Sequence, residues 1–294
     1  MIGSMRIAHI SDLHFAVPTF SPLQFFSKRW IGNFYQLFSR KNELDPKQLC
    51  EMPDLFAALN VDTVLITGDL TTTAQIREYQ LASEFIETLK ERNLRVVVIP
   101  GNHDHYTKRS WRNKDFYRFF SDYSENGFSL KDDGVAIIPL DQSWTLIALD
   151  TAVATSLRSS NGHFTQGAEA ALRKALKKVS LGENVIVMNH FPLFENDKAS
   201  KNLVRAAELR TLLSSHPNVR FYIHGHTHIH CVADLRPSRL PIILDSGSAS
   251  HLLKKSWNLI DISSSGATVH AYSSAAEPVL HNFQWSSHER TSLV

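Results

Sequence analysis

Short apolar runs rich in β-branched residues recur along the chain, and each is followed by a polar or glycine-containing turn. Runs of this length and composition are typical of buried strands. We predict strands at residues 6–10, 63–67, 95–99, 144–149, 184–189, 219–224 and 241–245. After about residue 256 the pattern stays strand-like and contains no helical period.

Helical periodicity separates several of these strands. One stripe follows the cap candidates at residues 71–73, and it consists of Ile76, Tyr79, Ala82, Phe85, Ile86 and Leu89. A second consists of Ala168, Leu172, Ala175, Leu176 and Val179. This alternation predicts a layered α/β fold. Without a repeat or a clear linker, we expect one domain over residues 5–272 and a peripheral, Ser-rich tail over 273–294.

Composition and charge exclude several classes of protein. With 31 Lys+Arg against 29 Asp+Glu, the net charge of +2 lacks the excess of a histone-like binder, so nucleic acid is not expected as a partner. Two cysteines exclude a disulfide-rich secreted scaffold. The first apolar run is interrupted by Asp12 and His14, and no run reaches the length of a membrane span. We expect a cytoplasmic protein, with peripheral contact at the inner face of a membrane left open.

The chain has 15 histidines and only two cysteines, so we expect any metal to be bound through nitrogen and oxygen ligands. Metal-competent side chains follow the predicted strands: Asp12, His14, Asp69, Asn102, His103, Asp104, His190, His226 and His228. Loops at the carboxyl ends of strands line the ligand crevice in α/β sheets, so these segments can converge on one pocket. Each motif alone is more typical of a turn or a cap. Their joint occurrence at successive strand ends indicates a metal site.

The ordered motifs D-x-H, G-D, G-N-H-D, H and G-H-x-H resemble those of the calcineurin-like metallophosphoesterase superfamily over roughly residues 6–250. The resemblance implies a four-layer αββα sandwich with two mixed β-sheets and a dinuclear metal centre. It implies Asp12, His14, Asp69 and His228 at one metal, and Asp69, Asn102, His190 and His226 at the other, with Asp69 as the bridge. His103 would lie near the scissile phosphate, and Asp104 would orient its imidazole.

Two divalent cations can clamp the attacking and leaving oxygens of an in-line displacement and acidify a bridging water, whose hydroxide would attack phosphorus. A histidine such as His103 can protonate the leaving group. Mixed histidine and carboxylate ligation suits Mn, Fe, Zn, Co or Ni rather than Mg alone, and Mn is our expectation from the resemblance. We therefore predict a metal-dependent phosphohydrolase that cleaves a phosphodiester or pyrophosphate bond.

We predict a helical insertion at residues 18–45, after the first motif. Its composition is unusual, because no acidic residue lies between Asp12 and Glu43. An aromatic stripe at four-residue spacing consists of Phe26, Trp30, Phe34 and Phe38, and basic residues lie on the other side of the helical wheel. The insertion can pack as an ordinary core helix. Alternatively, residues 20–41 form a lid that contacts acyl chains or an anionic membrane surface.

If the insertion is a lid, the substrate combines phosphate with lipid. The chain is then similar to the branch that cleaves the pyrophosphate of UDP-2,3-diacylglucosamine in lipid A synthesis, in its chlamydial-type version. The alternatives are a hydrolase of cyclic nucleotides or other small phosphodiesters, a nuclease, and a catalytically silent scaffold. Beside the aromatic stripe, His105 and His163 are candidate substrate contacts.

Overall fold

The computed structural model describes residues 5–17, 43–141, 143–156, 159–195, 198–274 and 276–285. The strands are β1 (Met5–Ile10), β2 (Thr63–Ile66), β3 (Arg95–Val98), β4 (Val135–Pro139), β5 (Trp144–Leu149), β6 (Gly162–His163), β7 (Asn184–Met188), β8 (Leu203–Val204), β9 (Val219–His224), β10 (His230–Asp234), β11 (Ile242–Ser246), β12 (Ser256–Ile262), β13 (Gly266–Ser273) and β14 (Ala276–Gln284). The α-helices are α1 (Met52–Ala58), α2 (Ile76–Lys90), α3 (Lys108–Arg112), α4 (Leu130–Asp133), α5 (Gln166–Lys178) and α6 (Ala206–Ser214). Turns of 3-10 helix lie at Pro46–Leu49, Asp115–Arg118, Ala199–Lys201 and Arg236–Ser238.

Most strands belong to two six-stranded mixed sheets. The first has the order β14-β13-β12-β1-β2-β3, and the second has the order β10-β11-β9-β7-β5-β4. The strands β1, β2 and β3 are parallel, and so are β5, β7, β9 and β11, while the outer strands are antiparallel. Each of the seven predicted strands is present, as β1, β2, β3, β5, β7, β9 and β11. The pattern missed β4, β6, β8 and β10.

Three apolar clusters separate four layers. Ile7 of the first sheet and Leu146 of the second meet in the cluster between the sheets. The outer face of the first sheet packs on α1 and α2, and that of the second on α5 and α6. Side chains alternate along a strand, so Ile7 faces the other sheet while Ala8 faces the helices. The predicted four-layer αββα sandwich is confirmed.

The helix α2 follows the predicted stripe but begins later than the candidate caps. Its N-cap is Gln75, and Glu78 closes a capping box. Tyr79 and Phe85 are buried, whereas Ile76 is exposed. The three threonines at residues 71–73 do not cap this helix, because Glu78 turns back and accepts the amide of Thr73. The helix α5 is capped by Thr165, whose hydroxyl accepts the amide of Ala168 at 3.1 Å, and the predicted stripe of this helix is buried.

Two predicted segments lie at the limits of the described residues. Of the insertion 18–45, residues 18–42 lie outside them, and Leu44 forms a single bridge with His251. The tail predicted from residue 273 begins inside a hairpin, since β14 pairs with β13 at the edge of the first sheet. Phe283 and Trp285 are buried, so this edge strand contributes to the core. Within the described ranges, no helix combines the length and apolar composition that crossing a bilayer requires.

Candidate metal centre

The five motifs meet where the two sheets present the carboxyl ends of their parallel strands. The loops after β1 and β2 carry Asp12 and Asp69, and those after β7 and β9 carry His190 and His226. Several hydrogen bonds join the sheets here, and two of them involve these side chains. The His226 amide donates to Asp12 Oδ2 at 3.0 Å, and the His190 ring donates through Nδ1 to the Thr67 carbonyl at 2.7 Å. The predicted convergence on one pocket is therefore present in the fold.

Asp12, His14 and His228 form a first group of donor atoms. His228 Nε2 lies 3.0 Å from Asp12 Oδ1 and 3.2 Å from His14 Nε2, and His14 Nε2 lies 3.5 Å from Asp12 Oδ1. Metal bonds to nitrogen and oxygen are about 2.1 Å, so ligand atoms at right angles around one cation are about 3 Å apart. Asp12 Oδ1 is buried and has no hydrogen-bond partner within the described ranges. This arrangement fits a cation.

A second group surrounds His190. Its Nε2 lies 3.1 Å from Asn102 Oδ1, 3.2 Å from His226 Nδ1 and 3.4 Å from Asp69 Oδ2. Asp69 lies within ligand distance of His190 and His226 on one side and of His14 on the other. A carboxylate in that position can be shared by two cations. The donor sets therefore fit a dinuclear centre.

Several residues that carry these donors adopt a strained, left-handed backbone conformation. Asp12, His14, Asp69, His226 and His228 all have positive φ, between 51° and 71°. Non-glycine residues rarely adopt this left-handed conformation, and such strain recurs at functional sites. Each turn aims a side chain back across its strand end into the centre. The local cost in free energy is one that the surrounding sheets must offset.

Two motif glycines are explained by close approach. A Cβ on Gly101 would overlap the Asp69 carboxylate, and a Cβ on Gly225 would overlap Ser11 and the Asp12 carboxylate. These side chains cross directly over the glycine backbone. Glycine is therefore required at both positions by the ligands that pass over it.

Backbone carbonyls orient two of the imidazoles. His190 Nδ1 donates to the Thr67 carbonyl, and His226 Nε2 donates to the carbonyl of Lys201 at 3.1 Å. Each bond fixes the tautomer, so the other ring nitrogen presents a lone pair to the centre, as outer-shell partners of metal ligands do. The sequence could not show either bond, because a carbonyl acceptor does not depend on residue type.

The electrostatics favour anionic carboxylates. Burial alone would raise the pKa of Asp69, but His190 and then His103 hold it below its usual value. Burial likewise would raise the pKa of Asp12, and His228 and His14 lower it well below the usual range. Conversely, burial would lower the pKa of His190, but the Asp69 carboxylate raises it to about 9. Positive charge on this side of Asp69 is therefore favoured, whether a proton or a cation supplies it.

His103 lies beside the first donor group. Its ring is edge-on to His14, with centroids 5.0 Å apart, and stacks on Tyr106 at 5.5 Å. Its Nδ1 donates to the Thr72 carbonyl at 2.6 Å, and its amide donates to Asp69 Oδ1 at 2.7 Å. The ring is therefore held at the edge of the centre.

The expectation that Asp104 orients this imidazole is not met, because the Thr72 carbonyl does so. The Asp104 carboxylate instead accepts the amides of Leu70, Thr71 and Gly101 and the Thr71 hydroxyl. Burial, followed by repulsion from Asp69, raises the pKa of Asp104 to about 6. Asp104 ties the loop after β2 to the loop after β3, and so positions Asp69.

The predicted substrate contacts differ in burial and in whether the structure describes them. His105 is fully buried against the rings of Phe116 and Tyr117, 3.5 Å from Asp150 Oδ2, so its expected contact with substrate is wrong. His163 is exposed on β6 and stays a prediction. Phe26, Trp30, Phe34 and Phe38 lie outside the described residues.

The known proteins whose sequences resemble this chain are phosphoesterases. The sequence profile of the family described as calcineurin-like phosphoesterase matches residues 5–230. The chain is 26% identical over 193 residues to a probable glycerophosphodiester phosphodiesterase of Arcobacter nitrofigilis, covering 65% of this chain and 64% of the relative. It is 27% identical over 169 residues to the 3',5'-cyclic adenosine monophosphate phosphodiesterase of Haemophilus influenzae, covering 57% and 54%. A probable cyclic nucleotide phosphodiesterase of Vesicomyosocius okutanii is 22% identical over 173 residues, covering 58% and 64%. The chain thus spans less than two thirds of the length of these curated relatives.

Solved structures show the same fold. A dimetal phosphatase from Danio rerio superposes with a TM-score of 0.67 at 14% identity, covering 95% of this chain and 99% of that one. A purple acid phosphatase from yellow lupin superposes with a TM-score of 0.69 at 11% identity, covering 100% of this chain and 56% of that one. At such low identity the likeness establishes the fold alone.

Proposed function

The chain belongs to the calcineurin-like phosphoesterase family, and from that premise we propose that it is a metal-dependent phosphohydrolase that cleaves a phosphodiester or pyrophosphate bond. The observation that carries this proposal is Asp69, which lies within ligand distance of donors on both sides. A shared carboxylate between two donor groups suits a pair of cations, and a pair of cations suits phosphoryl transfer.

The donor groups define the assignment of the metal ligands. We assign Asp12, His14, Asp69 and His228 to one cation and Asp69, Asn102, His190 and His226 to the other. When bound, such a pair supplies Lewis acidity toward the phosphoryl oxygens and toward water. The carbonyls of Thr67 and Lys201 keep the ligand nitrogens of His190 and His226 directed inward. Asn102 adds a neutral oxygen, so two carboxylates balance only part of the charge on two cations.

His103 is the group that we propose exchanges a proton with the substrate. The Thr72 carbonyl accepts the Nδ1 proton and stabilises the imidazolium form. Nε2 is then the atom that carries the transferable proton. From there the proton passes to the leaving oxygen as the P–O bond breaks, which prevents release of an unstable alkoxide.

For the substrate class, we propose a phosphodiester of a small alcohol or nucleoside first. The names of the relatives support this class, since two are cyclic nucleotide phosphodiesterases and one is a glycerophosphodiester phosphodiesterase. The pyrophosphate of UDP-2,3-diacylglucosamine is the second candidate. The aromatic and basic character of residues 18–42 favours it, because such a segment could accompany an acylated substrate at a membrane surface.

A product assay tests both candidates. Protein stripped with a chelator is reloaded with Mn, Co or Zn, then incubated with bis(p-nitrophenyl) phosphate, cyclic AMP, a glycerophosphodiester and UDP-2,3-diacylglucosamine. Metal-dependent hydrolysis of a diester supports the first class, and release of UMP with a lipid monophosphate supports the second. Binding of two metals without turnover of any of these compounds would favour a silent scaffold. Asp54→Asn, far from the centre and paired with Arg92, serves as the control variant.

A further inference from the structure

The His9 network, a run of hydrogen-bonded side chains between the two sheets, consists of Thr67, His9, Asn258 and His230. Ile7 of β1 belongs to the apolar cluster between the sheets, and His9, two residues further along, faces the same space. Asn258 lies opposite His9 in the antiparallel pair of β1 and β12. His9, Thr67 and Asn258 are fully buried. Polar groups in such a place need hydrogen-bond partners within the protein, because they are removed from solvent.

The hydrogen bonds of the His9 network run in one direction. His230 Nε2 donates to Asn258 Oδ1 at 2.8 Å, and Asn258 Nδ2 donates to His9 Nδ1 at 3.4 Å. His9 Nε2 then donates to Thr67 Oγ1 at 3.1 Å, and the Thr67 hydroxyl donates to the Ile10 carbonyl. Each imidazole carries its proton on Nε2, and no proton is required twice. The four side chains therefore satisfy one another along the whole network.

The His9 network ends on the residue that orients a metal ligand. The Thr67 carbonyl accepts the Nδ1 proton of His190 at 2.7 Å, and His190 Nε2 thereby faces the other donors of its group. His230 lies in β10 of the second sheet and His190 follows β7 of the same sheet, whereas the residues between them belong to the first sheet. The hydrogen bonds thus cross from one sheet to the other and back. They hold Thr67 in place relative to both sheets, and with it the acceptor of His190.

We propose that His9, supported by Asn258, is a positioning residue for the cation assigned to His190. By holding the Thr67 side chain, His9 holds the strand end whose carbonyl bonds the His190 ring. Loss of an outer-shell partner of a metal ligand typically costs about 10- to 100-fold in metal affinity or activity. His9 lies outside the five motifs and is not itself a ligand. Its role deepens the proposed function, on which it rests through the assignment of the two cations.

Two variants of His9 separate the two ends of its ring. In His9→Gln, the side-chain amide reaches the position of Nε2 and supplies a donor to Thr67 Oγ1. In His9→Asn, the shorter side chain places an oxygen at Nδ1 and accepts from Asn258, but the donor to Thr67 is lost. Ile7→Val is the matched control, because Ile7 is equally buried on the same face of β1, and its truncation removes apolar contact but no hydrogen bond.

The test is a calorimetric titration of Mn into protein stripped with a chelator, with the Tm of each metal-free variant measured beside it. We expect His9→Asn to weaken one of two cations by about 10- to 100-fold and to leave the other unchanged, and His9→Gln to restore most of the loss. Ile7→Val should lower the Tm and bind both cations with native Kd values. In a His190→Ala background, which keeps only the other cation, adding His9→Asn should change the Kd no further.

Native Kd values for both cations in His9→Asn would overturn the proposal. Equal weakening of both cations, or a further loss in the His190→Ala background, would overturn it too, because either result indicates general damage to the fold. If His9→Asn does not fold, Thr67→Val gives the same test from the other end, since valine keeps the shape and the carbonyl but lacks the hydroxyl, and Thr67→Ser is its rescue. If the native protein binds two cations but hydrolyses no phosphate compound, the proposed function fails, while the Mn Kd values still decide the role of His9.

Discussion

His103 Nδ1 lies 2.6 Å from the carbonyl oxygen of Thr72, so a backbone group sets the tautomer of the proposed proton donor. We predict that His103→Ala lowers kcat by about 100- to 10,000-fold, the usual contribution of a general acid. Metal content, measured by mass spectrometry, should stay at two per chain, because His103 is not among the assigned ligands. An unchanged kcat, or loss of a metal, would contradict this role. The matched control is His216→Ala, which should behave as the native protein.

Asp69 is the assigned bridge, so its loss should affect both cations. We predict that Asp69→Asn reduces the metal content to one per chain or fewer and lowers kcat by more than about 100-fold, the upper range for mere outer-shell partners. Chelation should lower the Tm of the native protein but not that of the variant. A ligand present at a free concentration of 100 times its Kd adds about 2.7 kcal/mol to the free energy of unfolding, and chelation removes this contribution. Asp54→Asn should retain both metals. Two tightly bound metals in Asp69→Asn would rule out the bridge.

Gly225 gives a steric test of the same centre. In Gly225→Ala, the new Cβ overlaps Ser11 and Asp12, so we expect weaker metal binding and a loss of about 1–3 kcal/mol in stability, as for overpacked sites. In Gly167→Ala, within α5, the nearest atom lies 3.7 Å from the new Cβ, which is an ordinary contact. That control should change stability by no more than about 1 kcal/mol. Denaturant unfolding and metal titration of the two variants provide the comparison, and equal behaviour would disprove the close approach.

Glu78 gives a prediction about pH. Its buried carboxylate accepts the amides of Val17, Thr73 and Gln75, yet burial raises its pKa above the usual 4.5. Because the folded state holds this proton more tightly than the unfolded state, the stabilisation from Glu78 is fully present below pH 4.5 and is lost as pH rises through the raised pKa.

The free energy of unfolding of the native protein, minus that of Glu78→Gln, should therefore fall with rising pH above about 4.5. Urea titrations between about pH 4 and pH 7 measure this difference. Glu84→Gln is the control, since Glu84 is an exposed residue of the same helix that pairs with Arg77. A difference that is flat, or that rises with pH, would contradict the assignment.

The sequence predicted the buried strands and the site because both have signatures in residue type. Strands covered on both faces are continuous apolar runs, and the ligands follow them as Asp, Asn and His. The orientation of side chains had no such signature. Asp104 and His105 directly follow His103, but Asp104 turns to backbone amides and His105 enters an aromatic cluster. The direction in which each side chain points depends on the tertiary packing of the loops. The Thr72 carbonyl that orients His103 could not be predicted either, because every residue has a backbone carbonyl.

The aromatic stripe in residues 18–42 gives the last prediction, which rests on the sequence. Charging it in Trp30→Glu with Phe34→Glu removes apolar area that could contact acyl chains. If the substrate is UDP-2,3-diacylglucosamine, kcat/KM for that lipid should fall far more than kcat/KM for bis(p-nitrophenyl) phosphate, since the small diester needs only the metal centre. Equal loss on both substrates, with a lower Tm, would show that the stripe packs on the domain core. Lys28→Gln with Arg29→Gln, which leaves the stripe intact, separates the loss of apolar contact from the loss of charge at an anionic surface.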